Sequence, residues 1–200
     1  TLFFSHPQYN TWIELMYNQN QHDILTYAHH LLDNGLPPGI LMIDDNWQRY
    51  YGNFDFKCER FPNPRAMVDS LHRQGFKVML WISPFVTADS PEYRALAKQG
   101  LLLRDATGNP AIIPWWNGQS ACFDLTNPAT LDYLEHTLRG MMHDYAIDGF
   151  KFDGGDNIYY DRADLRPYRK DARSVDQTKG WAELGCRFAF NEYRACWQMG

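Results

Sequence analysis

Three short apolar runs, each leading into charged or aromatic residues, constrain this chain more than any other feature. They read 39-GILMIDD-45, 77-KVMLWISPF-85 and 149-GFKFDGGD-156. The first two are continuously apolar, as expected of strands buried on both faces of a parallel sheet. Helical patterns separate the runs. Gln21–Asn34 carries Ile24, Tyr27, Ala28, Leu31 and Leu32 at helical spacing, and Gly35 supplies the stop. Asn63-Pro64 opens a second helix that ends near Gln74, Glu92–Gln99 forms a third, and Asn127-Pro128 opens a fourth. The fourth has Leu131, Leu134, Leu138 and Met141 on one stripe. A last helix is expected over Trp181–Gln198, and a short first strand over Thr11–Glu14. The stretch LLLRDATGNPAIIPWW reads as two strands around a polar turn, an excursion above the main sheet.

Strand–helix alternation predicts a parallel sheet with helices outside it. Neither GxGxxG nor GxxxxGK[ST] occurs, which disfavours an open nucleotide-binding sheet. The alternative is a (β/α)8 TIM barrel, whose chemistry sits where the strands end. The three runs meet that condition, ending in Asp44-Asp45-Asn46-Trp47, Trp81-Ile82-Ser83-Pro84-Phe85 and Asp153-Gly154-Gly155-Asp156. The expected fold class is therefore α/β, with residues 1–200 forming part of a single (β/α)8 catalytic domain. About four of the eight β/α units fit, and the remainder of the same polypeptide would complete the barrel.

Composition narrows the partners. Nineteen Lys and Arg against 24 Asp and Glu give a net charge of −5, which argues against nucleic acid or an anionic membrane. No apolar run approaches the roughly 20 residues of a membrane span. Aromatic residues make up 16% of the chain, a level that fits either sugar stacking or a large aromatic core. Cys58, Cys122, Cys186 and Cys196 form no CxxC pair, so they read as small buried hydrophobes rather than a zinc site. The paired His29-His30, on an expected amphipathic helix, reads as surface or packing residues. No metal and no cofactor are expected.

Strand parity sharpens the third run. Lys151 and Asp153 share one face, and Phe150 and Phe152 share the other. The phenylalanines can pack on outer helices, which turns Lys151 and Asp153 inward. A buried charge needs a partner. The favoured reading is a carboxylate kept ionised by the neighbouring ammonium, as a nucleophile requires. Asp44 and Asp45 offer short, rigid acceptors for sugar hydroxyls, although strict alternation turns only one of them inward. Trp115 and Trp116 either stack on sugar faces or pack at the barrel rim. Gly154 and Gly155 are expected to leave room for a sugar to approach.

The segments 41-LMIDDNWQ-48, 78-VMLWISPF-85, 115-WWNGQSACFDLTNP-128 and 149-GFKFDGGD-156, in this order, resemble the first half of the catalytic barrel of glycoside hydrolase family 31. That family comprises retaining α-glycosidases. The resemblance implies that Asp153 is the nucleophile and that Asp44 and Asp45 bind sugar hydroxyls. It implies aromatic positions near the first subsite at Trp47 and Trp81, the basic residue two before the nucleophile at Lys151, and a substrate-contacting acid at Asp156. Many members read Trp-x-Asp-Met-Asn-Glu around the nucleophile. Here Lys-Phe-Asp-Gly-Gly-Asp stands instead, which marks a divergent branch. The acid/base carboxylate would follow a later strand, beyond Gly200.

Two other classes compete. One is a catalytically inactive sugar-binding barrel, which needs no acid/base. The other is a divalent-metal enzyme using Asp44, Asp45, Asp153 and Asp156, against which Lys151 stands. Asp124, ahead of the fourth helix, reads as a structural cap.

Overall fold

The computed structural model describes residues 2–194. In chain order the elements are α1 (Leu2–Ser5), β1 (Gln8–Asn10), α2 (Trp12–Leu15), α3 (Gln21–Asp33), β2 (Ile40–Ile43), α4 (Pro64–Arg73), β3 (Lys77–Ile82), β4 (Phe85–Thr87), α5 (Pro91–Gln99), β5 (Arg104–Asp105), β6 (Ile113–Trp115), β7 (Gly118–Cys122), α6 (Pro128–Tyr145), β8 (Gly149–Asp153), β9 (Leu165–Arg166), α7 (Ser174–Gly185) and β10 (Phe190–Arg194). They divide into two compact units. The first is Thr1–Arg49, Phe54–Ile82 and Leu138–Lys151; the second is Tyr50–Asn53, Ser83–Thr137 and Phe152–Gly200.

The first unit is built on the sheet order β1-β2-β3-β8. β1 pairs with β2 in parallel, Gln8 opposite Ile40, and β2 pairs with β3 in parallel, Ile40 opposite Lys77. All four residues of β2 are buried, as its unbroken apolar run requires. The helices start where their caps stand. Asn20 accepts from the Asp23 amide at the head of α3, and Asn63 accepts from the Ala66 amide at the head of α4, with Pro64 in the first turn. Ile24 and Ala28 of α3 and Met67, Val68 and Leu71 of α4 turn into the core. Asp148, just ahead of β8, fastens that strand to β3. It accepts from His72 Nε2 at 2.7 Å, Lys77 Nζ at 2.9 Å and the Val78 amide at 2.8 Å, while its own amide donates to Val78 O at 2.9 Å.

The second unit holds the last residues of β8, followed in the sheet by β10. It also carries the excursion, a three-stranded antiparallel sheet of order β4-β7-β6. Phe85 lies opposite Cys122, and Ile113 opposite Ser120. Trp115 stacks on Phe85 with ring centroids 4.2 Å apart, which fastens this small sheet from within. Leu134 of α6 and Trp181 and Leu184 of α7 are buried.

Several expectations need correction. The first strand is Gln8–Asn10, and the helix Trp12–Leu15 takes up most of the expected Thr11–Glu14 strand. The two arms of the excursion do bridge around its turn, with Arg104 opposite Pro110, but β5 also pairs with β9, and β6 forms a hairpin with β7. The final helix ends at Gly185, and β10 occupies part of the expected Trp181–Gln198 helix, whose residues 195–198 lie outside the described residues. Leu184 and Phe188 stand four apart, but both are buried without sharing that helix. Cys122 is buried, and burial pushes its thiol up to about 12. Cys58 and Cys186 are exposed, contrary to expectation, and Cys196 lies outside the described residues. No helix among the described residues is long and apolar enough to cross a membrane.

The glycines after β8 pack rather than make room. A Cβ on Gly155 would sit 2.5 Å from Trp181 Cδ1, and Gly154 has a left-handed φ of 70° against the Phe85 ring. Gly155→Ala in the full-length protein is expected to cost about 1–3 kcal/mol, because the buried indole cannot retreat cheaply. Gly140→Ala, in the body of α6 with open space around its Cβ, is expected to add about 0.5–1 kcal/mol. Urea unfolding of the two variants checks both signs.

Candidate active site

Within the first unit the functional candidates gather at the end of β2. Asp44 follows its last residue. Asp44 Oδ2 accepts from Lys151 Nζ at 2.9 Å and from Asn10 Nδ2 at 2.7 Å, and Asp44 Oδ1 accepts from the Asp45 amide at 2.9 Å. The Asp44 amide donates to Thr11 Oγ1 at 3.1 Å, and that hydroxyl donates to Gln19 Oε1 at 2.6 Å. The carboxylate is thus held from three elements: Asn10 ends β1, Lys151 comes from β8, and Asp45 belongs to its own turn.

Both Asp44 and Asp45 are buried, although strand alternation turns only one inward. Asn46 adopts a left-handed φ of 78°, and its Nδ2 donates to Tyr17 O at 2.6 Å. Lys57 Nζ donates to Asn46 Oδ1. Burial lowers the Lys57 pKa, Arg60 adds to the effect, and Asp45 opposes it.

Trp47 and Trp81 lie in the core, at 0% and 1% exposure. Trp47 Nε1 donates to Trp81 O at 2.8 Å, and the Trp47 ring lies 4.8 Å from that of Phe56. These indoles brace the ends of β2 and β3.

Within the second unit the candidates gather at the end of β8. Asp153 is buried, and its Oδ1 accepts from Arg194 Nη1 at 3.1 Å and from the Gly154 amide at 2.8 Å. Its carbonyl accepts from Trp181 Nε1 at 3.1 Å. Arg194 lies 5.3 Å from the centroid of the Trp116 ring, within cation–π range. Trp116 is 44% exposed; Trp115 beside it is buried and donates to Ser120 Oγ at 3.0 Å. Asp156 is buried and lines a cavity of about 440 Å³ together with Tyr159 and Arg194. Burial raises the Tyr159 pKa; Asp156 and Asp153 add to the rise, and Arg194 opposes it.

The expected neighbour of Asp153 was Lys151. The ammonium bonds instead to Asp44, and the cation bonded to Asp153 is Arg194. Sequence reasoning missed Arg194 because it fell inside the expected final helix. The available signal was the alternation of Phe188, Phe190 and Glu192 with Arg194, a period of two. Asn10 was missed for the same kind of reason, since the first strand was sought three residues too late. Asp124 is structural, as expected. It accepts from the Thr126 amide and hydroxyl, Gln177 Nε2 and the Tyr168 amide, which ties the turn before α6 to α7. His29 and His30 are exposed. Among the described residues no group of three or more His, Cys, Asp or Glu side chains is arranged to hold a metal ion.

Parallel strands that deliver carboxylates and cations at one end are the arrangement of a TIM-barrel enzyme domain. The chain belongs to glycosyl hydrolase family 31: residues 6–199 match the family's TIM-barrel domain. It is 34% identical over 167 residues to the mouse myogenesis-regulating glycosidase, across 83% of this chain and 23% of that protein. It is 26% identical to the α-xylosidase XylQ of Lactiplantibacillus pentosus, across 70% of this chain and 18% of that protein. The chain thus spans less than a quarter of either relative. Among solved structures, a Flavobacterium johnsoniae family 31 dextranase complexed with glucose superposes with a TM-score of 0.82 at 20% identity, over 95% of this chain and 25% of that one. That likeness shows the fold.

The Lys151–Asp44 pair is well buried, with side chains 12% and 6% exposed. Removing one partner strands the other charge. Lys151→Met in the full-length protein is therefore expected to lower stability by about 3 kcal/mol. The double variant Lys151→Met, Asp44→Asn is expected to recover at least about 1 kcal/mol of that loss. A thermal-denaturation double-mutant cycle measures the coupling.

Proposed function

We propose that the full protein is a retaining α-glycosidase that removes terminal α-linked sugars from oligosaccharides or glycosides, with Asp153 as its nucleophile. The observation that carries this reading is the Asp153 carboxylate at the end of β8 in a family 31 barrel domain, bonded to Arg194, which in turn lies over the half-exposed Trp116. In the first step the Asp153 carboxylate attacks the anomeric carbon as the bond to the leaving oxygen breaks. A carboxylic acid protonates that oxygen. Water then displaces Asp153 with help from the same acid/base group, so the anomeric configuration is retained. The acid/base group must stand about 5–5.5 Å from the nucleophile. It is assigned to the polypeptide beyond these 200 residues, which also completes the barrel. On this reading residues 1–200 are part of one catalytic domain.

The other candidates take supporting roles. Asp44 and Asp45 accept hydrogen bonds from sugar hydroxyls, and Lys151 and Asn10 orient Asp44 for that task. Trp47 and Trp81, being buried, back the wall of the first subsite and do not offer an open stacking face. Trp116 offers its half-exposed indole to a sugar, and Trp115 packs beside it. Asp156 contacts substrate from the cavity beside Arg194. The α-linkage is supported by the α-xylosidase relative; the identity of the sugar is set elsewhere in the protein.

Asp153→Ala in the full-length protein is expected to lower kcat on nitrophenyl α-glycosides by at least about a thousandfold, with circular dichroism unchanged. NMR of the wild-type reaction is expected to show the α-anomer as first product. Near-normal turnover by the variant, or a β-anomer first product, refutes the assignment.

A further inference from the structure

The cavity beside Asp156 has a lining that the proposed sugar chemistry does not explain. Its volume of about 440 Å³ suits a small ligand. Arg194 lines it and bonds Asp153, so it opens beside the proposed nucleophile. A sugar ring wants converging hydroxyl partners. Here the walls are instead Ile113, Pro114, Ile158 and Tyr159. Arg162, at one side, is already committed: it forks onto Asp164 at 3.0 and 2.6 Å and donates to Ile112 O at 2.7 Å. Ile158 is 69% exposed, although it follows a buried strand end and stands next to Tyr159. The Tyr159 ring in turn lies 6.1 Å from that of Trp116. An isoleucine left open at the mouth of a concave site, continuous with an aromatic surface, is a surface waiting for an apolar ligand.

We propose that this cavity is an aglycone site, which receives the apolar or aromatic leaving group of the substrate while the sugar sits over Asp153. This assignment rests on the glycosidase reading for the position of the sugar. It adds that the natural substrates are glycosides with a hydrophobic aglycone, rather than sugar chains alone. Ile158 is the specificity-determining residue in this scheme: it contacts the leaving group and touches no reacting atom.

The test uses the full-length protein in an Asp153→Asn background, where substrates bind without turnover. Calorimetry compares p-nitrophenyl with methyl α-D-glucoside, α-D-galactoside and α-D-xyloside. For whichever sugar binds, the nitrophenyl glycoside is expected to bind about tenfold more tightly than the methyl glycoside. Ile158→Ser is expected to shrink that gap by about fivefold, and Ile158→Trp to widen it, with methyl glycoside affinity unchanged. Ile13→Ser, at a still more exposed isoleucine in the first unit, is the control and is expected to change nothing. Equal affinity for the two glycosides, a gap untouched by both Ile158 variants, or no binding of any pair overturns the aglycone site. If the gap behaves as expected while wild-type enzyme hydrolyses none of these glycosides, the glycosidase reading fails and the aglycone site stands.

Discussion

The hydrogen bond from Trp181 Nε1 to the Asp153 carbonyl, 3.1 Å long, fixes the backbone on which the proposed chemistry depends. A carboxylate at the last residue of a strand would otherwise inherit the freedom of the loop beyond it. The indole is fully buried and lies edge-on to Phe152, 5.0 Å between centroids, so it is anchored by the strand it holds. Gly155 has no side chain because this indole fills the space. Phe152 also stacks on Tyr193, one residue before Arg194. Packing on one face of β8 therefore registers β10 at the position where its arginine meets Asp153 on the other. The charged contact is accurate because the apolar one is rigid.

Ion pairing at β8 follows from strand geometry. Residues two apart on a strand lie about 6.6 Å apart along the chain, while a neighbouring strand is about 4.8 Å away. Arg194 on the neighbouring β10 therefore reaches Asp153, whereas the long side chain of Lys151 extends past β3 to Asp44 at the end of β2. Lys151 takes Asp44, and Asp153 takes Arg194. Both partnerships join residues far apart in sequence, so local spacing alone points to the wrong pair.

The strands that could be read from sequence were those with a continuous apolar run and clear stops. β3 and β8 begin and end where their residues indicate, and the caps at Asn63 and Gly35 mark helix limits correctly. Failures came where two periods overlap. Leu184 and Phe188 satisfy a helical spacing, yet Phe188 and Phe190 stand two apart, and tertiary pairing beside β8 decides for a strand. β1 is only three residues long, too short to show any period at all. The same two failures hid Asn10 and Arg194. The surroundings of Asp44 were illegible for a different reason: they depend on non-local bonds with Asn10, Lys151 and Thr11.

These constraints bear on how such a site can diverge. The chain has lysine two residues before Asp153, the proposed nucleophile, where the family pattern it resembles often has tryptophan. A tryptophan there needs only packing, whereas a buried ammonium needs an acceptor and is costly without one. Lys151 finds it in Asp44, which is itself held by Asn10 and the Asp45 amide. The lysine, the paired aspartates after β2 and the asparagine ending β1 are thus one electrostatic unit drawn from three strands. None of the three is a free choice once the others are present. A change at Lys151 would release Asp44 from its orientation as well as remove a charge.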